Sequence, residues 1–416
     1  MRTTVLRQNM RFSLWHGAFF TAATTIVSTF FPLLLIGTLH ASRQIVGLSS
    51  ALPALAALVA SVMLAFRLPR PQVLLPSTAK SFLAARLSYI LLALAPWLAP
   101  RHGALLAVFV FTLANIPQTW GLMGWQTVIG HVIPPMVRES FFSVRSIVTT
   151  LVALAASLAT GLVAQLNGAH ASQNLKGFMM LAAVLGIAEV AMLGRHRIPA
   201  RPRTAAKQVP GPHVSWRLIM HNPLFTRYLL LSAFFNFGWQ MSWPLFNLYQ
   251  IGQAHATALW LGLFTVAALL SQAISFPGWR ALARKKGGMT ALGLAALGLA
   301  TVPWLTVLSR NLWVLSGVNF ESGLFLSGVN LLLFTELMAH IPAAGRTEYI
   351  VAYNVAMGAV AFAAPEFGIL VLTHWHMAGA MRLSALWRAA GAATFLAAGA
   401  GLRSPGFRRP RLFSRP

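Results

Sequence analysis

Asn236, Gln240, Trp243, Asn247 and Gln250 recur at spacings of four, three, four and three, which puts all five side chains on one face of a helix. Their surroundings are apolar, and a polar group inside a membrane is costly unless it meets protein or water. Amides that donate and accept, with an indole to stack, can recognise a neutral polar or amphipathic solute without breaking a bond. The competing reading is glue between helices, worth about 0.6 kcal/mol per bond. Because the stripe runs the length of the segment and includes a Trp, it reads as cavity lining.

Smaller polar sets accompany it. Asn115, Gln118, Thr119 and Gln126 lie beside Pro117, and Thr21, Thr24, Thr25 and Ser28 lie in the first apolar run; for these, ordinary helix packing is an equal alternative. Ser316 to Asn319 recurs as Ser327 to Asn330, eleven residues or about three turns later, so Asn319 and Asn330 share a face. Glu321 lies about 200° round the helix from Asn319. It is the only carboxylate near the middle of a span and thus a candidate proton carrier, a structural Glu being the alternative. Glu189, Glu336 and Glu366 are nearer span ends and read as interfacial. His16 is an outside candidate for proton linkage, although a lone His is usually packing. His374 and His376 read as a surface loop, because no third ligand stands near enough for a metal. No nucleophile and base stand at catalytic spacing, so neither an enzyme nor a cofactor is expected.

These residues need helices in lipid to hold them. The chain has 416 residues, 57% hydrophobic and 9% charged, with a mean hydropathy of +0.68. That composition excludes an ordinary soluble protein, which carries about a quarter charged residues. Apolar runs long enough to cross roughly 30 Å of hydrocarbon fall near 13–38, 45–66, 82–99, 103–130, 141–166 and 175–194. Six more fall near 223–249, 256–279, 289–308, 311–338, 347–372 and 383–402. The expected fold is an all-α integral membrane protein of about twelve transmembrane helices in two six-helix pseudo-repeats. Its divisions are 1–194, a basic Pro-rich linker 195–222, 223–403, and a basic tail 404–416. A short interfacial helix anchored by Trp216 is expected at 214–221. Pro53, Pro117, Pro244, Pro303 and Pro365 interrupt spans and can kink them.

The net charge of +26 comes from 32 Lys and Arg against six Glu, with no Asp and no Cys. With the amino terminus inside, about 26 of the cations fall in inside segments and about five outside. Both termini are therefore expected in the cytoplasm, with the chain multi-pass in the cell membrane and the bilayer as its partner. A charge spread over every inside loop, without aromatic interleaving, argues against a nucleic-acid partner. The first apolar run is too long for a signal-peptide core and leads into a second span, so it reads as an uncleaved helix.

Ile133, Pro134 and Arg138 recur 208 residues later as Ile341, Pro342 and Arg346, at the same ordinal loop of each half. Together with Trp125, Phe141, Phe142 and Arg145, with Asn222, Pro223, Phe225 and Tyr228, and with Tyr349, Asn354, Pro365 and Gly368, this pattern resembles the major facilitator superfamily of secondary transporters. The resemblance covers about Arg11 to Leu402. It implies two parallel repeats, alternating access, a cavity lined by spans one, four, seven and ten, and conformational loop motifs that include Arg138, Arg145, Arg284 and Arg346. The family's acidic loop motif is unrecognisable in Arg67 to Arg70 and degenerate in Trp279 to Gly287. The reading is a transporter of a small neutral polar or amphipathic solute such as a sugar, with protons as a candidate coupling ion and a monomer as the expected state. Proton-coupled efflux of hydrophobic drugs and a non-transporting scaffold or sensor stay open beside it.

Overall fold

The computed structural model describes residues 3–65, 71–166, 171–197, 221–342 and 346–401. Arg67, Arg70, linker residues 198–220 with most of the expected 214–221 helix, and the tail beyond 401 lie outside these, as do the side chains of Arg138 and Arg346. The described residues contain helices and no strand, as a bilayer demands, because a helix satisfies its own backbone where no water can.

Among the described residues ten helices are long and apolar enough to cross a membrane. Spans one to six lie within Thr3–Leu33, Arg43–Ala65, Pro71–Leu98, Gly103–Val132, Pro135–Leu166 and Ala171–Gly194. Spans eight to ten are Ala258–Lys286, Gly288–Leu308 and Leu312–His340. The tenth helix, Arg346–Gly401, is two crossings joined at His376, whose φ of 58° and ψ of 176° break the helix and reverse the chain. Span seven is broken into Pro223–Gln240, Trp243–Asn247 and a π-helical turn, Leu248–Gln253. Counting both, the described residues make twelve crossings. Local chemistry sets some starts: Asn222 accepts from the Phe225 amide at 3.3 Å with Pro223 behind it, and Asn311 accepts from the Trp313 amide at 2.9 Å.

Spans one and seven end alike. Span one runs into a π-turn, Leu34–Thr38, where the Leu39 and Ala41 amides reach the Leu34 and Leu35 carbonyls, each at 2.9 Å. At the end of span seven the Ala254 and Ala256 amides reach Tyr249 and Gln250 at 2.9 and 2.8 Å. His40 and His255 sit between these amides in the left-handed region, with φ of 49° and 53°. Every partner is offset by 215 residues.

The end of the bundle that carries the amino terminus is here the near end. Asn9, fully buried, is clipped there to the end of span six, donating to the Arg197 carbonyl at 3.0 Å and accepting its amide at 2.9 Å. Opposite, at the far end, the two sets of six spans close on each other. A side chain on Gly262 would meet the Ser157 carbonyl at 2.6 Å, and one on Gly47 would meet Ile369 at 2.7 Å. Leu33 and Ile36 of span one pack into an apolar cluster of span-seven, -eight and -eleven residues around Leu245, Tyr249 and Phe264. The near-end clusters are segregated: one joins Met10, Leu74, Val128 and Phe141, and the other joins Phe225, Tyr228, Leu333 and Ile341.

Arg388, in the last span, is 1% exposed and clamps the break in span seven. It donates to the carbonyls of Gly238 at 3.3 Å, Trp239 at 3.0 Å and Leu299 at 2.9 Å, and to the Ser242 hydroxyl. The last carbonyls of a helix lack partners of their own, and this guanidinium supplies them. Arg388→Met leaves these acceptors unpaired and is expected to cost about 3 kcal/mol or more; Arg388→Lys, without the planar fork, recovers little of it. Thermal unfolding of the detergent-purified protein checks both, and an unchanged midpoint for Arg388→Met contradicts the clamp.

Candidate functional site

A cavity of about 290 Å³ lies between the two sets of spans, roofed by the far-end contacts. That is at the small end of ligand sites, which run from roughly 300 Å³ upward. Its wall takes Ser28 and Thr29 from span one, Asn247 and Gln250 from span seven, and Asn319 from span ten. Span eight supplies Leu261, Phe264, Thr265, Ala268, Leu269 and Gln272, whose spacings of three and one trace a single helical face. The lining is polar and carries no ionisable acid or base: hydroxyls and amides alternate with Leu, Phe and Ala.

The span-seven stripe is divided. Asn247 and Gln250 line the cavity, whereas Asn236 and Gln240 are buried, Asn236 donating to the Ser232 carbonyl of its own helix at 2.8 Å. Trp243 is 46% exposed and lies edge-on to Trp239. A phase that holds through an unbroken helix is reset here by the turn at Met241 and Ser242 and by Pro244, which has no amide to give.

On span ten, Asn319 is at the cavity, its amide donating to the Leu315 carbonyl at 2.8 Å. Asn330 is exposed, about 16 Å further along the helix. Glu321 accepts from the Thr301 hydroxyl of span nine at 2.5 Å and is not among the residues that line the cavity. On span four, Asn115 is half-buried and donates to its own helix at Phe111, Gln118 holds a buried carbonyl oxygen, and Gln126 is exposed. Of the loop arginines, Arg284 is exposed in the last turn of span eight, where basic groups suit the helix dipole. Arg145 lies over the Trp125 ring at 4.3 Å.

Two readings of the sequence are corrected. Glu189, expected at the interface, is fully buried and bonded to Arg86 at 2.7 Å, because spans one and three close over it. Thr265 and Gln272, absent from the expected site, line it. Their spacing of seven, two helical turns, was the available signal.

The fold and the cavity define a twelve-span membrane protein of transporter architecture. The sequence profile of the Major Facilitator Superfamily matches residues 14–365, and the chain belongs to that family. No curated protein matches it by sequence. Among solved structures it is similar to a mutant of the nucleoside transporter NupG, with a TM-score of 0.70 at 10% identity, covering 96% of this chain and 100% of that one. It is also similar to a D-xylose-proton symporter, with a TM-score of 0.66 at 13% identity over 93% and 96% of the two chains. A third is a bacterial homologue of the human lysosomal transporter Spinster, in an inward-facing, occupied conformation, with a TM-score of 0.61 at 15% identity over 96% and 95%. At these identities the likeness is one of fold.

The chain has no cysteine, so any cysteine introduced is its sole thiol. Asn247→Cys, Gln250→Cys and Asn319→Cys are expected to react with a water-soluble thiol reagent well ahead of Leu230→Cys, whose site is 60% exposed on an apolar outer face. Equal rates contradict the cavity assignment.

Proposed function

We propose that this protein is a secondary transporter that carries a small neutral polar or amphipathic solute, such as a sugar, by alternating access between its two six-span halves. The observation that carries this reading is the cavity wall, where Asn247, Gln250, Gln272 and Asn319 offer amide groups and no charged group stands among them. Paired donors and acceptors match hydroxyl-bearing solutes, whereas an anionic solute calls for an Arg or Lys clamp. Two of the similar structures are named for a nucleoside and for D-xylose, which supports the class. With both termini in the cytoplasm, as the charge bias implies, closure at the far end makes this an inward-facing arrangement.

Proton coupling through Glu321 belongs to the same proposal. Two residues from Asn319 and bonded to Thr301, its carboxyl acts through spans nine and ten rather than from within the cavity.

A panel of neutral sugars, polyols and nucleosides is expected to raise the thermal midpoint of the purified protein. A ligand at a hundred times its dissociation constant stabilises by about 2.7 kcal/mol, and the shift disappears in Asn247→Ala. A shift with lipophilic drugs alone replaces this reading with efflux. In proteoliposomes, Glu321→Gln is expected to abolish pH-driven accumulation while sparing solute exchange; unchanged accumulation removes Glu321 from the proposal.

A further inference from the structure

Within the first six spans, apart from the cavity, five side chains from five spans meet: His16, Arg86, Trp125, Arg145 and Glu189. Arg86 donates from Nε to Glu189 at 2.7 Å and from Nη1 to the Tyr89 hydroxyl at 2.6 Å. His16 Nε2 is 3.5 Å from the other Glu189 oxygen. Its ring lies parallel to Trp125, with centroids 5.9 Å apart, and the Arg145 guanidinium lies over that indole at 4.3 Å. The Arg145 guanidinium and the Arg86 stem each rest on bare glycine backbone. A Cβ on Gly17 would stand 2.9 Å from Arg145 Nε, and one on Gly186 would collide with the Arg86 stem.

The hydrogen-bond accounting does not balance. Arg86 Nη2, Arg145 Nε, Trp125 Nε1, both His16 nitrogens and Glu189 Oε1 are buried without a hydrogen-bond partner among the described residues. If the His16 Nε2 proton serves Glu189 Oε1, three donor nitrogens carrying four N–H groups are left, and of these six atoms His16 Nδ1 is the one acceptor still unmet. A bridging water would satisfy two of them and bring two hydrogens of its own in need of acceptors. The charges point the same way, because two guanidiniums face one carboxylate among the described residues. A proton added to His16 or Glu189 would deepen that excess. A group that only accepts, and that carries one negative charge, settles both accounts.

We propose that this cluster binds a small monovalent anion, a halide or a carboxylate group, inside the amino-terminal half. His16, Arg86 and Glu189 are closed off, at 1%, 0% and 0% exposure, while Trp125 and Arg145 are only half-buried, so the anion enters along the Trp125–Arg145 edge. It draws on donors from spans three, four and five and ties those spans together. The site is independent of the solute cavity.

The test is thermal unfolding of the full-length purified protein in sodium chloride, bromide or formate against sodium gluconate at equal ionic strength. The expected result is a saturable rise in midpoint of several degrees with at least one small anion, lost in Trp125→Phe, which keeps the ring and removes Nε1, and in Arg145→Met. A rise with chloride and bromide alone assigns a halide, and one with formate assigns a carboxylate group. The same midpoint in all four salts, or a rise that survives Trp125→Phe and Arg145→Met, overturns the proposal. Should Arg145→Met fail to fold, Trp125→Phe alone decides.

Discussion

A hydrogen-bonding group carried into hydrocarbon must find its partner within the bundle, because no water is there to replace one that is missing. Arg388 shows how much of this architecture follows from that constraint. A break in span seven frees the carbonyls of Gly238 and Trp239, and the guanidinium of span twelve takes them up. Ser384 and Trp387, on the same helix, add bonds to Gly238 and Phe234 at 2.7 and 3.0 Å. So secured, the break turns the remainder of span seven, and Asn247 and Gln250 reach the cavity while Asn236 and Gln240 stay in the interior of the second half. The site depends on an interruption that a single buried side chain makes tolerable.

The twelve crossings were legible in the sequence because hydropathy over some twenty residues is a strong signal that needs no neighbours for its reading. The cavity was legible in part. Asn247, Gln250 and Asn319 stand out as amides in apolar runs, but helical phase could be carried only as far as the helix itself, and Met241, Ser242 and Pro244 reset it. Glu189 illustrates a different limit. Its closeness to a span end says nothing about which helices pack over that end, and Arg86 comes to it from 103 residues away. Arg388 was invisible for the same reason, since its partners lie on spans seven and nine.

The pseudo-repeat is strongest where backbone and residues recur together. In sequence it rests on Ile133, Pro134 and Arg138 and their counterparts 208 residues on. In structure it is carried by hydrogen bonds that recur at an offset of 215, and at that offset Phe31, Leu33, Ile36, Gly37, His40 and Ala41 meet the same residue types at Phe246, Leu248, Ile251, Gly252, His255 and Ala256. Elsewhere the fold tolerates wide divergence, with identities of 10 to 15% to structures of the same fold. Helix packing in lipid asks for shape, small residues at close approaches and satisfied polar groups, and many sequences meet those terms.

The paired π-turns at the far end carry one further implication. A π-turn holds one residue more than the α-turn it replaces, and residues 34–38 and 248–253 both lie in the contact where the two sets of spans meet. What these turns preserve is a count. Exchanging one apolar residue for another alters only local packing, whereas removing a single residue would tighten the turn to α-geometry and abolish the long bonds, reaching back five and six residues, that bracket the left-handed His40 or His255. This end of the protein is therefore more exposed to changes in chain length than to changes in residue type, and each half holds its own copy of that vulnerability.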